Sequence, residues 1–386
     1  MNPEHARRSL DPFFKPRSVA VIGASRTPGK GGYNIIENIQ RLGFPGAVYP
    51  VNPAGGEILG LPVFPDIAAT PEAPELALIV LQPDAVKETL AACIARGVRA
   101  VIIETAGFGE FGAAGAAMER EFARMAREGG IRLMGPNSVG TIDTRTRLDT
   151  SLGRLNEYFY PRGELRPGKA GFIGQTGLFT GVYLPLINDE IGFSRVVALG
   201  NKCEVDESDM LDYFGQDEHT SFVGMYLESV KDGRRFMNVA RDVLRRKPVA
   251  AIKSAVTAAG ARMSASHTGA IAGEDRVYDA AFRQAGIIRV SGFEPLWDMA
   301  RAFVLAPLPR GNRIAVINLA GSGCVTAVDA CIRHGLRVAE LSPATLKRCR
   351  TVFPSWWKVG SPVDLWTAIE TSGFEAAYTT VTRAVL

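Results

Sequence analysis

The stretch Ser18-Val-Ala-Val-Ile-Gly-Ala-Ser-Arg-Thr-Pro-Gly-Lys-Gly-Gly32 decides the fold class of this chain. Its first half is a short apolar run typical of a buried strand, and its second half is a glycine-rich turn. Four apolar residues then recur on one helical face: Ile35, Ile36, Ile39 and Leu42. The stretch therefore predicts a strand, a tight turn and a helix in succession, the repeating unit of a parallel α/β sheet.

The same alternation continues as far as residue 145. Further strand-like runs are Ala47–Asn52, Leu76–Leu81, Ala100–Ile103 and Arg132–Met134, and helical segments cover Ala85–Ala95 and Ala113–Arg127. Because ligands on such folds bind at the carboxyl ends of the strands, the residues that follow each strand are candidates for a site. These are Gly23–Ser25, Asn52-Pro53, Gln82-Pro83, Thr105–Phe108 and Gly135–Asn137.

The glycine loop after the first strand matches no common nucleotide motif. Gly23 and Gly29 are one residue too far apart for a P-loop, and Ser25 replaces the second glycine of the dinucleotide fingerprint. The second strand ends in Asn52 and lacks the acidic residue that would bind a ribose hydroxyl, which disfavours an NAD-dependent dehydrogenase. A glycine loop at a helix N-terminus still favours a phosphate-bearing ligand, and a tight turn without a ligand remains the alternative.

A second α/β unit is predicted after an irregular stretch, Thr141–Pro167, that we interpret as a linker. Its first strand leads into Gln175-Thr-Gly177, which opens a helix whose apolar face contains Leu178, Val182 and Leu186. Strands follow at Arg195–Leu199, Phe222–Leu227 and Pro248–Ile252. A third unit begins near Gly311 with two strands and a trailing helix, too few for a complete sheet, and is expected to be truncated or abbreviated.

The last strand of the second unit leads into a loop of small, polar and glycine residues around a single histidine, His267. Such a loop buries little apolar area, but it can hold an imidazole where a ligand reaches it. From the loop alone, a catalytic and a structural histidine are equally good interpretations.

The composition excludes several classes of protein. The 386 residues carry a net charge of only +4, from 44 basic and 40 acidic residues, which is too even for a nucleic-acid or membrane-surface protein. The five cysteines form no Cys-x-x-Cys pair, and neither an apolar signal core nor a run of membrane-spanning length occurs. We therefore expect a cytoplasmic protein without a metal cluster.

Several motifs in a fixed order give a resemblance to a known family. They are Gly135-Pro-Asn137, Gly200-Asn-Lys-Cys-Glu-Val-Asp206, Tyr226-Leu-Glu-Ser-Val-Lys-Asp-Gly-Arg-Arg-Phe236, Lys247-Pro-Val249 and Ser266-His-Thr-Gly-Ala270. Together they make the chain, from Asp11 to about Leu365, resemble the α subunit of ADP-forming acyl-CoA synthetases, relatives of succinyl-CoA synthetase. The resemblance implies a CoA-binding Rossmann-like domain at 1–145, a flavodoxin-like ligase domain with a phosphohistidine loop at 146–306, and a partial third domain of the ligase–CoA type at 307–386.

The resemblance also implies roles for particular residues. His267 would be the phosphorylated nucleophile, with Glu228 as the carboxylate that orients its ring. The helix N-terminus at Gln175, Thr176 and Gly177 would bind phosphate, and Asn137 and Ser138 would belong to the acyl or phosphate site. The CoA-binding residues would be Gly23, Ala24, Ser25, Lys30, Gly31, Val51, Asn52, Pro53 and Thr105.

The implied reaction interconverts acyl-CoA, ADP and phosphate with a carboxylic acid, ATP and CoA. No ATP-grasp domain follows in the sequence, so the resemblance implies that ADP or ATP binds with Mg²⁺ on a separate ATP-grasp β subunit, in an α2β2 assembly. The alternative is a non-catalytic CoA or acyl-CoA sensor, which has no need of the pair formed by His267 and Glu228. The acyl group stays open.

Overall fold

The structure, a computed structural model, describes residues 10–153, 165–177, 190–257, 259–260 and 274–386. It divides into two compact units between Ala306 and Pro307. The first unit contains two mainly parallel sheets covered by helices, which confirms the predicted α/β fold class. No helix in the described parts of the chain is long and apolar enough to cross a membrane.

The first sheet holds the glycine loop at its carboxyl edge. Its strands are β1 (Ser18–Ile22), β2 (Ala47–Val51), β5 (Leu76–Ile79), β6 (Ala100–Ile103) and β7 (Arg132–Met134), with a small hairpin of β3 (Glu57–Ile58) and β4 (Leu61–Pro62) after β2. The connecting helices are α1 (Gly31–Leu42), α2 (Pro83–Arg96) and α3 (Ala113–Glu128), and short 3-10 turns cover Asp11–Phe13 and Gly109–Phe111. All five strands are parallel, in the order β2-β1-β5-β6-β7. The order reverses between β1 and β5, which leaves a crevice for a ligand there.

Local signals set the limits of these helices. Gly43 and Gly97 follow α1 and α2 in the left-handed conformation, with φ of 70° and 85°, and their N–H groups bond carbonyls of the last turn. Pro83 stands in the first turn of α2, where no N–H is needed. The predicted helices, 85–95 and 113–127, therefore differ from the observed ones only at their ends.

The second sheet has seven strands and repeats the same topology. Its strands are β8 (Thr141–Asp143), β9 (Leu148–Asp149), β10 (Pro167–Gly174), β11 (Phe193–Ala198), β12 (Phe222–Leu227), β13 (Val249–Lys253) and β14 (Ile288–Val290). Helices α4 (Glu207–Gln216), α5 (Gly233–Leu244), α6 (Asp275–Ala285) and α7 (Phe293–Leu305) cover it. The order is β14-β13-β12-β10-β11-β8-β9, so the reversal among the parallel strands lies between β10 and β12.

The hairpin of β8 and β9 corrects one expectation from the sequence. The stretch 141–167 is not simply a linker, since β8 pairs antiparallel with β11 and forms the edge of the second sheet with β9. A boundary at residue 145 would divide this hairpin. Residues 154–164 of the stretch lie outside the described part, as do residues 178–189, which hold the predicted helix face of Leu178, Val182 and Leu186.

One apolar core continues from the first sheet into the second. Val19 and Val21 of β1 and Ile35 of α1 belong to the same cluster of buried residues as Ile173 of β10 and Val197 of β11. The two sheets are thus joined by packing as well as by the chain.

The unit from Pro307 to Leu386 has a core of its own, around Cys349, Val363 and Leu365. Two parallel strand pairs occur here, β15 (Arg313–Ile314) with β17 (Arg337–Val338), and β16 (Ile317–Asn318) with β18 (Val363–Asp364). The helices are α8 (Gly321–Arg333), α9 (Pro343–Cys349), α10 (Trp366–Ser372) and α11 (Phe374–Val385), with a 3-10 turn at Arg350–Val352.

Candidate active site

A cleft of about 720 Å³ opens at the crevice of the first sheet. It is lined by the residues that follow β1, β2, β5 and β6, as expected for a ligand site on this topology. Six predicted CoA-binding residues line it: Gly23, Ala24, Ser25, Lys30, Asn52 and Thr105. The other three do not. Gly31 opens α1, Val51 is buried in β2, and Pro53 is exposed in the turn that follows β2.

The cleft can form because the chain turns sharply at Gly23. Gly23 has a φ of +93°, and a Cβ there would lie 2.1 Å from the carbonyl oxygen of Val80. The amides of Gly23 and Ala24 both donate to the carbonyl of Val51, and Asn52 Nδ2 donates to the carbonyl of Ala24 at 2.8 Å. Glycine is thus required at position 23, and Asn52 fixes the loop that follows.

A second cluster of predicted residues lies at the crevice of the second sheet. Gln175 follows β10 and Glu228 follows β12, the two strands between which the order reverses. The Gln175 side-chain oxygen accepts hydrogen bonds from the backbone N–H groups of Glu228, at 2.7 Å, and Ser229, at 2.9 Å. Gln175 therefore fixes the backbone that carries Glu228.

The carboxylate of Glu228 is buried and has an oxygen without a hydrogen-bond donor among the described residues. Glu228 is 8% exposed, and its Oε2 has no hydrogen-bond partner among the described residues. A buried carboxylate oxygen without a donor is costly, so Glu228 is a candidate functional group. His267, the partner suggested by the sequence, lies outside the described residues.

A buried ion pair between Lys202 and Glu207 holds the turn that follows Glu228. The Lys202 ammonium donates to Glu207 Oε2 at 2.7 Å and to the Ser229 carbonyl at 2.8 Å, while Glu207 Oε1 accepts from the Lys231 amide at 2.9 Å. Burial lowers the pKa of Lys202, and the charge of Glu207 opposes that shift. From the sequence, Lys202 was noted only as part of the motif Gly200–Asp206, and Glu207 was not singled out.

A second lysine lies beside the same turn. Lys253 ends β13, with its ammonium 4.7 Å from the centre of the Tyr278 ring, and the Tyr278 hydroxyl accepts from the Val230 amide. Burial lowers the pKa of Lys253, and the charges of Asp275 and Glu228 raise it. Lys253 therefore adds positive potential near Glu228.

The turn from Gly135 to Ser138 connects the two crevices. The Asn137 amide donates to the carbonyl of Thr105 in the cleft, and Asn137 Nδ2 lies 3.4 Å from Asn201 Oδ1 in the turn that follows β11. The Ser138 hydroxyl donates to the Ala198 carbonyl at 2.6 Å and accepts from the Gly140 amide. The hydroxyl of Ser138 is thus engaged in holding the turn, whereas Asn137 lies between the two sites.

The remaining predicted phosphate residues, Thr176 and Gly177, directly follow Gln175. A Cβ at Gly177 would lie 2.6 Å from Val139 Cγ2, so a larger residue would push against the connecting turn. The sequence prediction missed four lining residues of the cleft: Val80, Leu81, Glu104 and Phe111. Glu104 had a signal, because it is a charged residue directly after the apolar run of β6.

No group of three or more histidine, cysteine or acidic side chains within the described ranges could hold a metal ion. All five cysteines are free.

Two family models match the chain, a CoA binding domain at residues 17–144 and a succinyl-CoA ligase like flavodoxin domain at 167–303. The chain is 40% identical, over 98% of its length, to ADP-forming acetate–CoA ligase II of Archaeoglobus fulgidus, and spans 55% of that protein. It is 38% identical to the α subunit of ADP-forming acetate–CoA ligase II of Pyrococcus furiosus, covering 92% of this chain and 76% of that subunit. Among solved structures, it is similar to the dinucleotide forming acetyl-coenzyme A synthetase 1 of Ca. Korarchaeum cryptofilum in complex with phosphate and ADP. That similarity has a TM-score of 0.85 and 33% identity, and covers 92% of this chain and 75% of that one.

Proposed function

The chain belongs to the family of ADP-forming acetate–CoA ligases, and from this membership we propose that it is the α part of such an enzyme. The reaction interconverts acyl-CoA, ADP and phosphate with a carboxylic acid, ATP and CoA. The cleft of the first sheet binds CoA, and the crevice of the second sheet carries the phosphoryl chemistry.

The first half-reaction replaces a thioester by an acyl phosphate. Phosphate attacks the carbonyl carbon of the acyl-CoA, and CoA leaves as the thiolate. Gln175, Thr176 and Gly177 bind the phosphate, since they follow β10 at the crevice of the second sheet, where backbone N–H groups favour anions. Asn137, between the two crevices, lies near the reacting acyl group.

The second half-reaction moves the phosphoryl group to His267. An imidazole nitrogen attacks phosphorus, and the carboxylate of the acid leaves. Glu228 accepts a hydrogen bond from the other ring nitrogen and stabilises the positive charge of the phosphorylated ring. The single observation that carries this proposal is the buried Oε2 of Glu228, which has no hydrogen-bond partner among the described residues and lies on a turn that Gln175 holds in place.

The final acceptor is ADP, which lies with Mg²⁺ on an ATP-grasp partner. The name of the Pyrococcus furiosus relative, an α subunit, supports a partner of this kind. The longer Archaeoglobus fulgidus relative, of which this chain spans 55%, leaves room for such a domain in the same polypeptide. The free cysteines support a cytoplasmic location.

The test is the intact mass of the purified chain after incubation with acetyl phosphate and other acyl phosphates. Wild type should gain one phosphoryl group that is lost in acid, and His267→Ala should gain none. His219→Ala is the matched control, because its imidazole lies away from both crevices, beside Glu218, and should leave phosphorylation unchanged. A chain that binds CoA but gains no phosphoryl group from any donor, with or without its partner, would be a CoA sensor instead.

A further inference from the structure

Glu104 is a buried carboxyl group that no part of the reaction above uses. It follows β6 directly and lines the CoA cleft, yet the residue is only 4% exposed. Neither of its carboxyl oxygens has a hydrogen-bond partner within the described ranges. Leaving both oxygens without donors costs free energy, and a residue of this kind at a binding cleft points to a group that the ligand supplies.

The surroundings of Glu104 favour the neutral acid. Burial raises the pKa of Glu104 well above its ordinary value, and the nearby charge of Asp149 raises it further. A neutral carboxyl has an O–H that donates and a carbonyl oxygen that accepts, whereas a carboxylate only accepts. A neutral group also avoids repulsion with the phosphates of CoA.

The position of Glu104 in the cleft indicates which part of a bound CoA molecule would lie beside it. The glycine loop follows β1, and Glu104 follows β6, two strands further along the sheet, or roughly 10 Å away. Beyond Glu104 lies the turn that leads to the second crevice, because Ser138 donates its amide to the carbonyl of Ile103. A ligand with its phosphates on the glycine loop and its thiol toward the second crevice would lay its pantetheine arm across Glu104.

We propose that Glu104 binds the pantetheine arm of CoA as a neutral carboxylic acid, donating a hydrogen bond from its O–H to an amide carbonyl of that arm. The inference rests on the proposed binding of CoA in this cleft. It assigns to Glu104 a specificity role that separates CoA from nucleotides without the arm.

The experiment measures the affinity of two ligands for three variants of the full chain by isothermal titration calorimetry. The ligands are CoA and 3′-phosphoadenosine 5′-diphosphate, which is CoA without its pantetheine arm. Glu104→Met should weaken CoA binding about tenfold or more and leave the shorter nucleotide within about twofold of wild type. Glu104→Gln keeps a donor and an acceptor without a charge, so it should bind CoA within about threefold of wild type.

Stability provides a readout that separates ligand binding from a structural role. Glu104→Met removes two unsatisfied buried oxygens, so its unfolding temperature without ligand should equal or exceed that of wild type. Glu75→Met is the matched control, because Glu75 is also buried but pairs with Arg17 and Arg99 at the opposite end of the sheet. It should unfold at a lower temperature and bind CoA as wild type does.

Each contrary outcome has a distinct meaning. Glu104→Met that binds CoA as tightly as wild type overturns the inference and leaves the proposed function intact. If Glu104→Met weakens the binding of both ligands equally, the contact lies outside the pantetheine arm. If Glu104→Met unfolds at a lower temperature than wild type, Glu104 has structural partners. Either outcome overturns the inference. A wild-type chain that binds neither ligand overturns the CoA site itself, and the inference with it.

Discussion

The pair formed by Lys202 and Glu207 gives the strongest test of how the second crevice is held. Lys202→Met removes an ammonium that lies 2.7 Å from Glu207 Oε2, and Lys202 and Glu207 are 1% and 0% exposed. The change leaves a carboxylate buried without its cation. Breaking a buried pair from one side costs about 3–5 kcal/mol, a large part of the stability of an ordinary domain.

Urea unfolding, followed by far-ultraviolet circular dichroism, measures this loss. Lys202→Met should move the midpoint to lower urea with little change in slope, by an amount that corresponds to about 3–5 kcal/mol. The double variant Lys202→Met with Glu207→Gln is the matched control. Its neutral amide keeps the oxygen that accepts from the Lys231 amide and leaves no buried charge. The double variant should therefore be more stable than Lys202→Met alone.

The relative stabilities of wild type, the single variant and the double variant show whether the buried charge sets the cost. A loss below about 1 kcal/mol in Lys202→Met would show that water reaches the pair and screens its charges. A double variant no more stable than the single one would show that the lost bond to the Ser229 carbonyl, and not the uncompensated charge, sets the cost.

Three further predictions concern a buried carboxyl group of β9 and the two crevices. Burial raises the pKa of Asp149 from 3.8 to about 6, so the folded chain holds this proton more tightly and loses stability as pH rises from about 4 to about 6. Asp149→Asn should remove that loss, so its free energy of unfolding at pH 7 should exceed that of wild type by at most about 3 kcal/mol. Urea unfolding at pH 4 and at pH 7 measures the difference. Glu228→Gln should slow phosphorylation of His267 by about 100-fold or more without lowering the unfolding temperature, since the amide cannot offset the charge of the ring. Gly23→Ala should weaken CoA binding at least about tenfold in calorimetry, because the methyl group would meet the Val80 carbonyl at 2.1 Å.

Each of these has a control or a contrary result. An Asp149→Asn gain that is the same at pH 4 and pH 7 would mean that proton binding is not its cause. Unchanged phosphorylation in Glu228→Gln would leave that carboxylate without a catalytic role. Gly29→Ala is matched to Gly23→Ala, because Gly29 has a similar φ of +87° but nothing within 4 Å of an added Cβ. Equal effects of the two glycine variants would attribute the loss to backbone strain and not to the contact.

The parallel sheets could be predicted from the sequence because their strands are apolar runs between helical segments. β6 and β12 were placed at their exact residues, Ala100–Ile103 and Phe222–Leu227. Six of the nine expected CoA-binding residues line one cleft, since strand ends of a parallel sheet meet at one edge.

The parts that sequence reasoning missed depend on contacts between distant residues. β8 and β9 have three and two residues, too few to show a period. They are strands because β8 pairs with β11 and β9 pairs with β8. The Lys202–Glu207 pair gives no signal either, because two charged residues five positions apart are ordinary on a surface, and only burial between helix and turn gives them weight. Glu104 was missed because a charged residue after an apolar run is a weak signal by itself. Its burial without partners among the described residues, which gives that signal its weight, is not encoded in a sequence pattern.

The hairpin from Thr141 to Asp149 also limits where the chain can be cut when its two sheets are exchanged between related genes. It follows the last strand of one sheet in the chain yet supplies the edge of the other, and its Thr141 hydroxyl donates to the carbonyl of Phe13. A gene fragment that begins at residue 146 would encode a ligase half with the backbone of β11 open at an unprotected edge, a common template for aggregation. A module that exchanges successfully must therefore begin near Gly140 and carry the hairpin with it.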